Sequence, residues 1–254
     1  MNNWLVLYPD IVFFYGAHQR ATTWHAHPMI QLVIGLDLPF YTKNKEGKWE
    51  PKEALLIAAN ARHECDARDS KILSLGIDPE SALGLHLKHL LGAQPIREYG
   101  KVDIPLLDLI KNIEAQDWMG FRSSLFDFFN ANTQLECSED ERILEAQFYL
   151  KSNFMHDLGI DELASRSNLS TSRFQHLFKS TLGLPVTNYI QWLRLRSALE
   201  AVLLGMNLTQ AAYEAGFSDQ AHFSRVCANT LGIPPSAVTK NSRYVKVAFQ
   251  ETTA

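Results

Sequence analysis

The chain has 254 residues, of which 46 % are hydrophobic and 20 % charged, and its formal net charge is −4 at pH 7. These proportions are typical of a soluble globular protein with one large domain or two ordinary ones, and they exclude disordered and collagen-like classes. No segment approaches the roughly 18 uncharged apolar residues of a membrane-spanning helix, and the first residues lack a secretory signal pattern. We therefore predict a cytoplasmic protein with no membrane partner.

Charge is unevenly distributed along the chain. Residues 1–139 contain 13 Lys and Arg against 18 Asp and Glu, whereas residues 140–254 contain 11 against 10. A DNA-binding surface needs locally clustered cations, and an acidic chain can still supply them on one face. The three cysteines, Cys65, Cys137 and Cys227, lie far apart and show no CxxC spacing, so we predict neither a disulfide framework nor a zinc ribbon.

The first eighty residues predict a small barrel or sandwich of short strands. Apolar and β-branched runs bounded by turn residues predict strands at Leu5–Tyr8, Ile11–Tyr15, Met29–Leu36, Leu55–Ala58 and Lys71–Ile77. From Ser81 to about residue 130 the apolar residues recur at helical spacing. These helices pack either on the barrel or on a second copy of the chain in a homodimer, and both alternatives remain open at this point.

A domain boundary is predicted near residue 138. Apolar residues thin out over 132–138, and the capping box Ser138-x-x-Glu141 precedes a new helical pattern. We therefore predict an N-terminal domain over residues 1–135, with a barrel over about 1–80 and helices over about 81–130. A second domain follows over residues 139–245.

Two helix-turn-helix units are predicted in the second domain, about fifty residues apart. Each has a short helix, a tight turn and a second helix preceded by a serine N-cap. The first comprises Ile160–Arg166, the Asn168–Leu169 turn, Ser170 and Thr171–Thr181; the second comprises Leu208–Glu214, the Gly216–Phe217 turn, Ser218 and Asp219–Leu231. One continuous helix, Val186–Leu204, connects them. Duplication of the unit is far more specific than a single match.

Helical spacing separates a buried from an outward face in the second helix of each unit. Phe174, Leu177 and Phe178 form the apolar face of the first, and Phe223, Val226 and Cys227 form that of the second. On the remaining surface we predict DNA contacts from Ser170, Ser172, Arg173, Gln175, His176, Lys179, Ser218, Gln220, Ala221, His222, Ser224 and Arg225.

The two outward faces differ in chemistry. Gln175 suits the edge of adenine, and the other polar groups beside it suit bases or phosphates, so the first unit is expected to discriminate sequence. Arg225 and the helix N-terminus at 218–220 are expected to hold phosphates. The alternative for both faces is an ordinary solvated helix surface.

The C-terminal residues resemble the AraC/XylS family of bacterial transcription regulators over about residues 140–245. The resemblance rests on spaced matches: Leu163-Ala164, Leu169-Ser170, Phe178-Lys179, Gly183, Tyr189, Arg194-Leu195, Ala198, Leu203-Leu204, Ala212, Gly216-Phe217, Phe223-Ser224-Arg225 and Gly232-x-Pro234-Pro235-Ser236. It implies two helix-turn-helix subdomains on a linker helix, with Thr171–Thr181 and Asp219–Leu231 as recognition helices. His176 and Cys227-Ala228 depart from the family pattern, which implies fewer phosphate contacts.

A histidine-rich pattern in the N-terminal domain resembles the cupin pattern HxH…E/Q…H. It consists of Trp24, His25, His27, Gln31 and His63. In an extended segment His25 and His27 point the same way, and a barrel can bring His63 near them. Three alternatives stay open: a small-molecule effector pocket, a site for Zn, Fe, Ni or Cu, and purely structural histidines. We predict the effector pocket and assign no metal and no cofactor.

The sequence as a whole predicts an α+β two-domain protein: a cupin-like β-barrel followed by helices, then an all-α domain with two helix-turn-helix subdomains. The predicted function is sequence-specific regulation of bacterial promoters, with double-stranded promoter DNA as partner, RNA polymerase as a further partner of an activator, and a small-molecule effector. No Ser-His-Asp order, P-loop or GxGxxG motif occurs, so we predict no catalytic residues and no enzyme. The alternative is a metal-dependent cupin enzyme with an accessory helical domain.

Overall fold

The computed structural model describes residues 3–8, 10–17, 21–22, 24–44, 46–100, 103–131, 140–155, 158–231, 234–238 and 245–249. The chain divides into two compact units. The N-terminal unit contains residues 1–136 together with 245–254, and the C-terminal unit contains residues 137–244. The architecture is α+β, with a strand-rich N-terminal unit and a helical C-terminal unit. None of the described helices is both long and apolar enough to cross a lipid bilayer.

The strands of the N-terminal unit form two sheets. They are β1 Asn3–Leu7, β2 Ile11–Ala17, β3 Ile30–Gly35, β4 Phe40–Lys43, β5 Trp49–Lys52, β6 Ala54–Ile57, β7 Cys65–Asp66, β8 Lys71–Ile77, β9 Ile96–Tyr99 and β10 Val245–Phe249. One sheet has the order β10-β1-β2-β8-β3-β6-β9, and the other has the order β5-β4-β7. Within the described residues these sheets do not close into a single barrel, although the predicted strand-rich domain is confirmed.

The long sheet is covered on both faces. Leu32 and Ile34 of β3 belong to a core shared with helices α1 Ala82–Leu91, α2 Leu106–Ala115 and α3 Trp118–Phe128. Val33, between them, belongs to a second core that includes Phe40 of the short sheet. Because successive side chains of a strand point to opposite faces, burial on both sides explains the unbroken apolar run of β3. Most leucines of the three helices are thus used in packing within the unit, whereas Leu90 and Leu107 are exposed. The homodimer stays a prediction.

The end of the chain returns to the N-terminal unit. Strand β10 pairs in parallel with β1, in the register Asn3 with Val245 through Leu7 with Phe249, while β1 also pairs antiparallel with β2. A strand of an open sheet that lacked such a neighbour would expose its backbone amides and carbonyls. The C-terminal residues therefore cover an edge that β1 would otherwise present. The sequence patterns predict no strand here.

The C-terminal unit contains the two predicted helix-turn-helix units. Its described helices are α4 Glu141–Asn153, α5 Ile160–Arg166, α6 Thr171–Leu182, α7 Val186–Leu203, α8 Leu208–Glu214 and α9 Gln220–Leu231, followed by a 3-10 turn at Pro235–Val238. Helix α4 is capped by Asp140, whose carboxylate accepts a hydrogen bond from the Arg142 amide at 3.1 Å. The predicted cap, Ser138, lies outside the described residues.

Helix α7 carries both units. The first half of α7 packs on the first helix-turn-helix unit, because Val186 and Tyr189 share a buried cluster with Phe174 and Phe178. Its second half contacts α8 and α9, whose buried residues include Phe223. A helix that belongs to two cores fixes the distance between them.

The tight turn of each unit requires a left-handed backbone. Asn168 has φ 53° at the end of the first short helix, and Gly216 has φ 80° at the end of the second. Asn and Gly are the residues that adopt this conformation most readily. At Gly216 space is also short, because an added Cβ would lie 3.0 Å from Nε of Arg194 and 3.1 Å from the carbonyl oxygen of Met155.

Gly216→Ala should lower the free energy of unfolding by about 1–3 kcal/mol, since it combines a strained φ with this crowding. Chemical denaturation of the full chain measures the loss. Gly183→Ala is a matched control, because Gly183 has nearly the same φ (74°) but an added Cβ would meet no atom within 4 Å. An equal loss in both variants would contradict the crowding at Arg194.

Candidate nucleic-acid interface

The first recognition helix, α6, has the two faces that the sequence predicts. Phe174, Phe178 and Leu182 are buried on the inner face. The predicted contact residues are all exposed: Ser170, Ser172, Arg173, Gln175, His176 and Lys179. This surface presents hydroxyl, amide, imidazole and cationic groups side by side, and these are the groups that read base edges and hold phosphates.

The second recognition helix, α9, has fewer polar groups on its outer face. Phe223, Val226 and Cys227 are buried. Among the predicted contact residues Ser218, Gln220, Ala221 and Arg225 are exposed, whereas His222 and Ser224 are half-buried. The imidazole of His222 lies edge-on to Phe217 at a ring-centroid distance of 5.3 Å, and its Nδ1 is 3.2 Å from Oγ of Ser218. Arg225 is therefore the exposed cation of this face.

The two recognition helices begin with different caps. Oγ of Ser170 accepts a hydrogen bond from the Arg173 amide at 3.4 Å, as predicted. In the second unit Oδ1 of Asp219 accepts from the His222 amide at 2.6 Å, and the helix begins at Gln220. The prediction that Ser218 is the cap and Asp219 the first helical residue is therefore wrong. The reason is local: the second turn is one residue longer, so the residue at the capping position is aspartate.

An anionic cap changes the electrostatics of this helix N-terminus. The hydrogen bond from the His222 amide lowers the pKa of Asp219 below its ordinary value, and the charge of Arg225 acts in the same direction. A carboxylate is favourable at the positive end of a helix dipole. It also occupies an amide that a phosphate would use and repels that phosphate, so it opposes the phosphate contact expected at 218–220.

Each recognition helix is tied to the preceding helix by one side-chain hydrogen bond, which sequence reasoning missed. Oγ1 of Thr171 donates to Oδ1 of Asp161 at 2.5 Å in the first unit. Oγ1 of Thr209 donates to Oε1 of Gln220 at 2.8 Å in the second. The residue types differ between the units, so only the repeated position after each turn could have signalled the pair. Both bonds orient the first turn of a recognition helix.

The N-terminus of α4 adds charged groups near the first recognition helix. Arg142 forms a bidentate ion pair with Asp140, with N–O distances of 2.9 and 2.6 Å. This pairing lowers the pKa of Asp140, and the positive charge of Arg173 lowers it further. Arg142 thus neutralises the carboxylate of Asp140, whose negative charge also acts on Arg173 of α6.

Four of the predicted N-terminal site residues lie together: His25, His27, Gln31 and His63. His25, His27 and His63 form a cluster with ring-centroid distances of 4.2, 5.0 and 5.6 Å. Nε2 of His27 lies 3.1 Å from Oε1 of Gln31. Trp24 is half-exposed at 50 %, whereas His27 and His63 are 3 % and 2 % exposed. The cluster is therefore closed rather than an open cleft for a bulky ligand, and the effector pocket stays a prediction.

Comparison with known proteins agrees with the helix-turn-helix geometry. Residues 163–241 match the family model described as "Helix-turn-helix domain". The chain is 30 % identical over 237 residues to the probable transcriptional regulator LumQ of Photobacterium leiognathi, which covers 85 % of the chain and 92 % of LumQ. It is 33 % identical over 108 residues to the arabinose operon regulatory protein of Escherichia coli K12, covering 41 % and 37 %.

The fold has a solved counterpart that spans both units. ToxT of Vibrio cholerae O395 superposes with a TM-score of 0.58 at 13 % identity, covering 89 % of the chain and 94 % of ToxT. The chain spans half or less of the length of several curated relatives, among them the arabinose operon regulatory protein, but nearly all of LumQ. The duplicated unit, the family model and these relatives together show that the chain belongs to the AraC/XylS family of bacterial transcription regulators.

Proposed function

We propose that the chain binds double-stranded promoter DNA sequence-specifically and thereby regulates transcription. The observation that carries this proposal is the presence of two recognition helices, α6 and α9, on one connecting helix, each with a buried apolar face and an outer polar face. An ordinary solvated helix surface does not explain why the helix and its preceding turn occur twice. Two recognition helices connected by one helix, α7, can contact two segments of the major groove.

The length of α7 supports simultaneous binding. Its 18 residues extend about 27 Å at 1.5 Å per residue. Successive major-groove windows on one face of B-DNA are about 34 Å apart. Because α6 packs on the first half of α7 and α9 also contacts α7, one chain can present both helices at a separation of this order and reach two adjacent windows. An asymmetric site spanning two grooves is therefore expected.

The proposal is tested by selecting bound sequences from a random duplex pool with purified full-length protein at fixed, near-physiological salt. We expect an asymmetric motif with two conserved blocks about one helical turn apart. The double variant Gln175→Ala/Arg225→Ala, which changes only exposed side chains, should enrich more weakly and lose one conserved base pair of the motif. Folded wild-type protein that enriches no sequence would overturn the proposal.

The two faces should contribute differently to binding. Gln175→Ala should reduce discrimination at one base pair by about 1–3 kcal/mol, because a lost amide contact no longer distinguishes the base. Arg225→Ala should weaken specific and random DNA alike and reduce the salt slope by about one. Affinities on the selected site, its single-base variants and random DNA measure both effects. Glu114→Ala, on an exposed residue of the N-terminal unit, is the control; equal losses from the first two variants on every DNA would refute this division.

The anionic cap of α9 should limit affinity. Asp219→Asn keeps a capping oxygen for the His222 amide and removes the negative charge, so binding to all sequences should tighten a few-fold, most clearly at low salt. Salt-dependent affinities measure this effect, and Glu114→Gln controls for the change in net charge. Unchanged or weaker binding by Asp219→Asn would show that the α9 N-terminus does not approach phosphate.

We infer further that the N-terminal unit responds to a small-molecule effector. Support comes from solved ToxT structures of the same fold, one of which is described as bound to an unsaturated fatty acid. Small molecules that raise the unfolding temperature and change DNA affinity in parallel would support this inference.

A homodimer and, for an activator, a contact with RNA polymerase are further proposals. Sedimentation with and without DNA tests the homodimer.

A further inference from the structure

Three histidines of the N-terminal unit converge from two chain segments. The backbones of His25 and His63 form an isolated antiparallel bridge with two hydrogen bonds of 3.0 Å. His27 lies two residues beyond His25, so its side chain points to the same side of this extended segment. One ring nitrogen from each of the three lies within 4.8 Å of the others. Backbone pairing therefore brings the three imidazoles together.

The protonation of His63 leaves a nitrogen lone pair facing the cluster. Nδ1 of His63 is 2.9 Å from the carbonyl oxygen of Ala61, so this nitrogen carries the proton and donates. A neutral imidazole has a single ring N–H, so Nε2 then has no hydrogen. Nε2 is buried and has no hydrogen-bond partner among the described residues. A buried acceptor without a partner is rare and costly unless something binds it.

His27 has a related mismatch. Its Nδ1 lies 3.0 Å from the carbonyl oxygen of Met29, and its Nε2 lies 3.1 Å from Oε1 of Gln31. A neutral imidazole has one ring N–H for these two oxygen neighbours. Rotating the Gln31 amide by half a turn would satisfy His27, but it would leave Nε2 of His63 unchanged. A cation between these lone pairs satisfies both histidines.

We propose that His25, His27 and His63 bind one divalent transition-metal ion of the Zn²⁺ type, with Oε1 of Gln31 as the adjacent oxygen ligand. Neutral imidazoles whose other nitrogen donates to a backbone carbonyl are the usual arrangement of histidine metal ligands. The described cluster contains no carboxylate, which disfavours Mg²⁺ and Ca²⁺ and favours Zn²⁺, Co²⁺, Ni²⁺ or Cu²⁺.

The spacing requires only a small contraction. With no nitrogen pair farther apart than 4.8 Å, an ion at the centre lies within about 2.8 Å of all three nitrogens, and side-chain movements of under about 1 Å give Zn–N distances of 2.0–2.1 Å. His25 is half-buried, whereas the other two histidines are buried. The side of His25 is therefore the path by which an ion enters.

The experiment titrates tag-free, chelator-treated full-length protein with Co²⁺ alone and with Zn²⁺ alone. We expect one equivalent to bind, with visible Co²⁺ absorption typical of nitrogen coordination and a Zn²⁺-dependent rise in unfolding temperature. His25→Ala and His63→Leu should each weaken binding by at least about 100-fold, because changes to second-shell groups alone cost 10–100-fold. His89→Ala, on the exposed end of α1, should bind as wild type does.

Circular dichroism shows whether each variant folds, and His25→Ala, at the half-buried position, keeps the test valid if His63→Leu does not fold. Wild-type protein that binds no stoichiometric Co²⁺ or Zn²⁺ would overturn the proposal, as would folded variants that bind as tightly as wild type. Neither readout involves DNA, so the metal site can fail while promoter binding stands, and the reverse.

Discussion

The guanidinium of Arg194 is the contact on which the arrangement of the two helix-turn-helix units depends. Its Nε donates to the carbonyl oxygen of Phe154 at 3.1 Å, at the C-terminal end of α4. The same side chain lies against Gly216 in the turn of the second unit. One residue of the connecting helix α7 therefore contacts both the end of α4, beside the first helix-turn-helix unit, and the turn that precedes the second recognition helix, α9. A restricted spacing lowers the entropic cost of placing two recognition helices on one DNA site, and α7 with Arg194 restricts it.

Much of the helical unit could be predicted from its sequence, because each helix there has both a periodic apolar face and a local stop. The bounds of α5 and α8 agree with the prediction, and those of α6, α7 and α9 differ by one residue at one end. The short strands β4, β5, β7 and β9 were not predicted, because two to four residues carry little pattern when polar residues interrupt them. Strand β6 is as short, but all four of its residues are apolar and it was predicted. Strand β10 was missed for another reason: it exists through pairing with β1 at the far end of the chain.

The sequence predicted some features of each candidate site and not others. Spacing alone separated the exposed face of α6 from its core, because a helix has one geometry. Spacing could not show that Asp219 caps α9, since a one-residue difference in the turn decides it. In the N-terminal unit the pattern predicted that His25, His27 and His63 approach each other. The burial of His27 and His63, and the absence of a partner for Nε2 of His63 among the described residues, arise from tertiary packing that the sequence does not display.

We propose that α6 and α9 of one chain occupy two adjacent major grooves of the same DNA. Hydroxyl-radical footprinting on a selected site, with wild-type protein and with Gln175→Ala and Arg225→Ala, tests it most directly. We expect two protected windows on one face of the duplex, about one helical turn apart, with each variant weakening a different window. A single window, or two windows that both variants weaken equally, would contradict it.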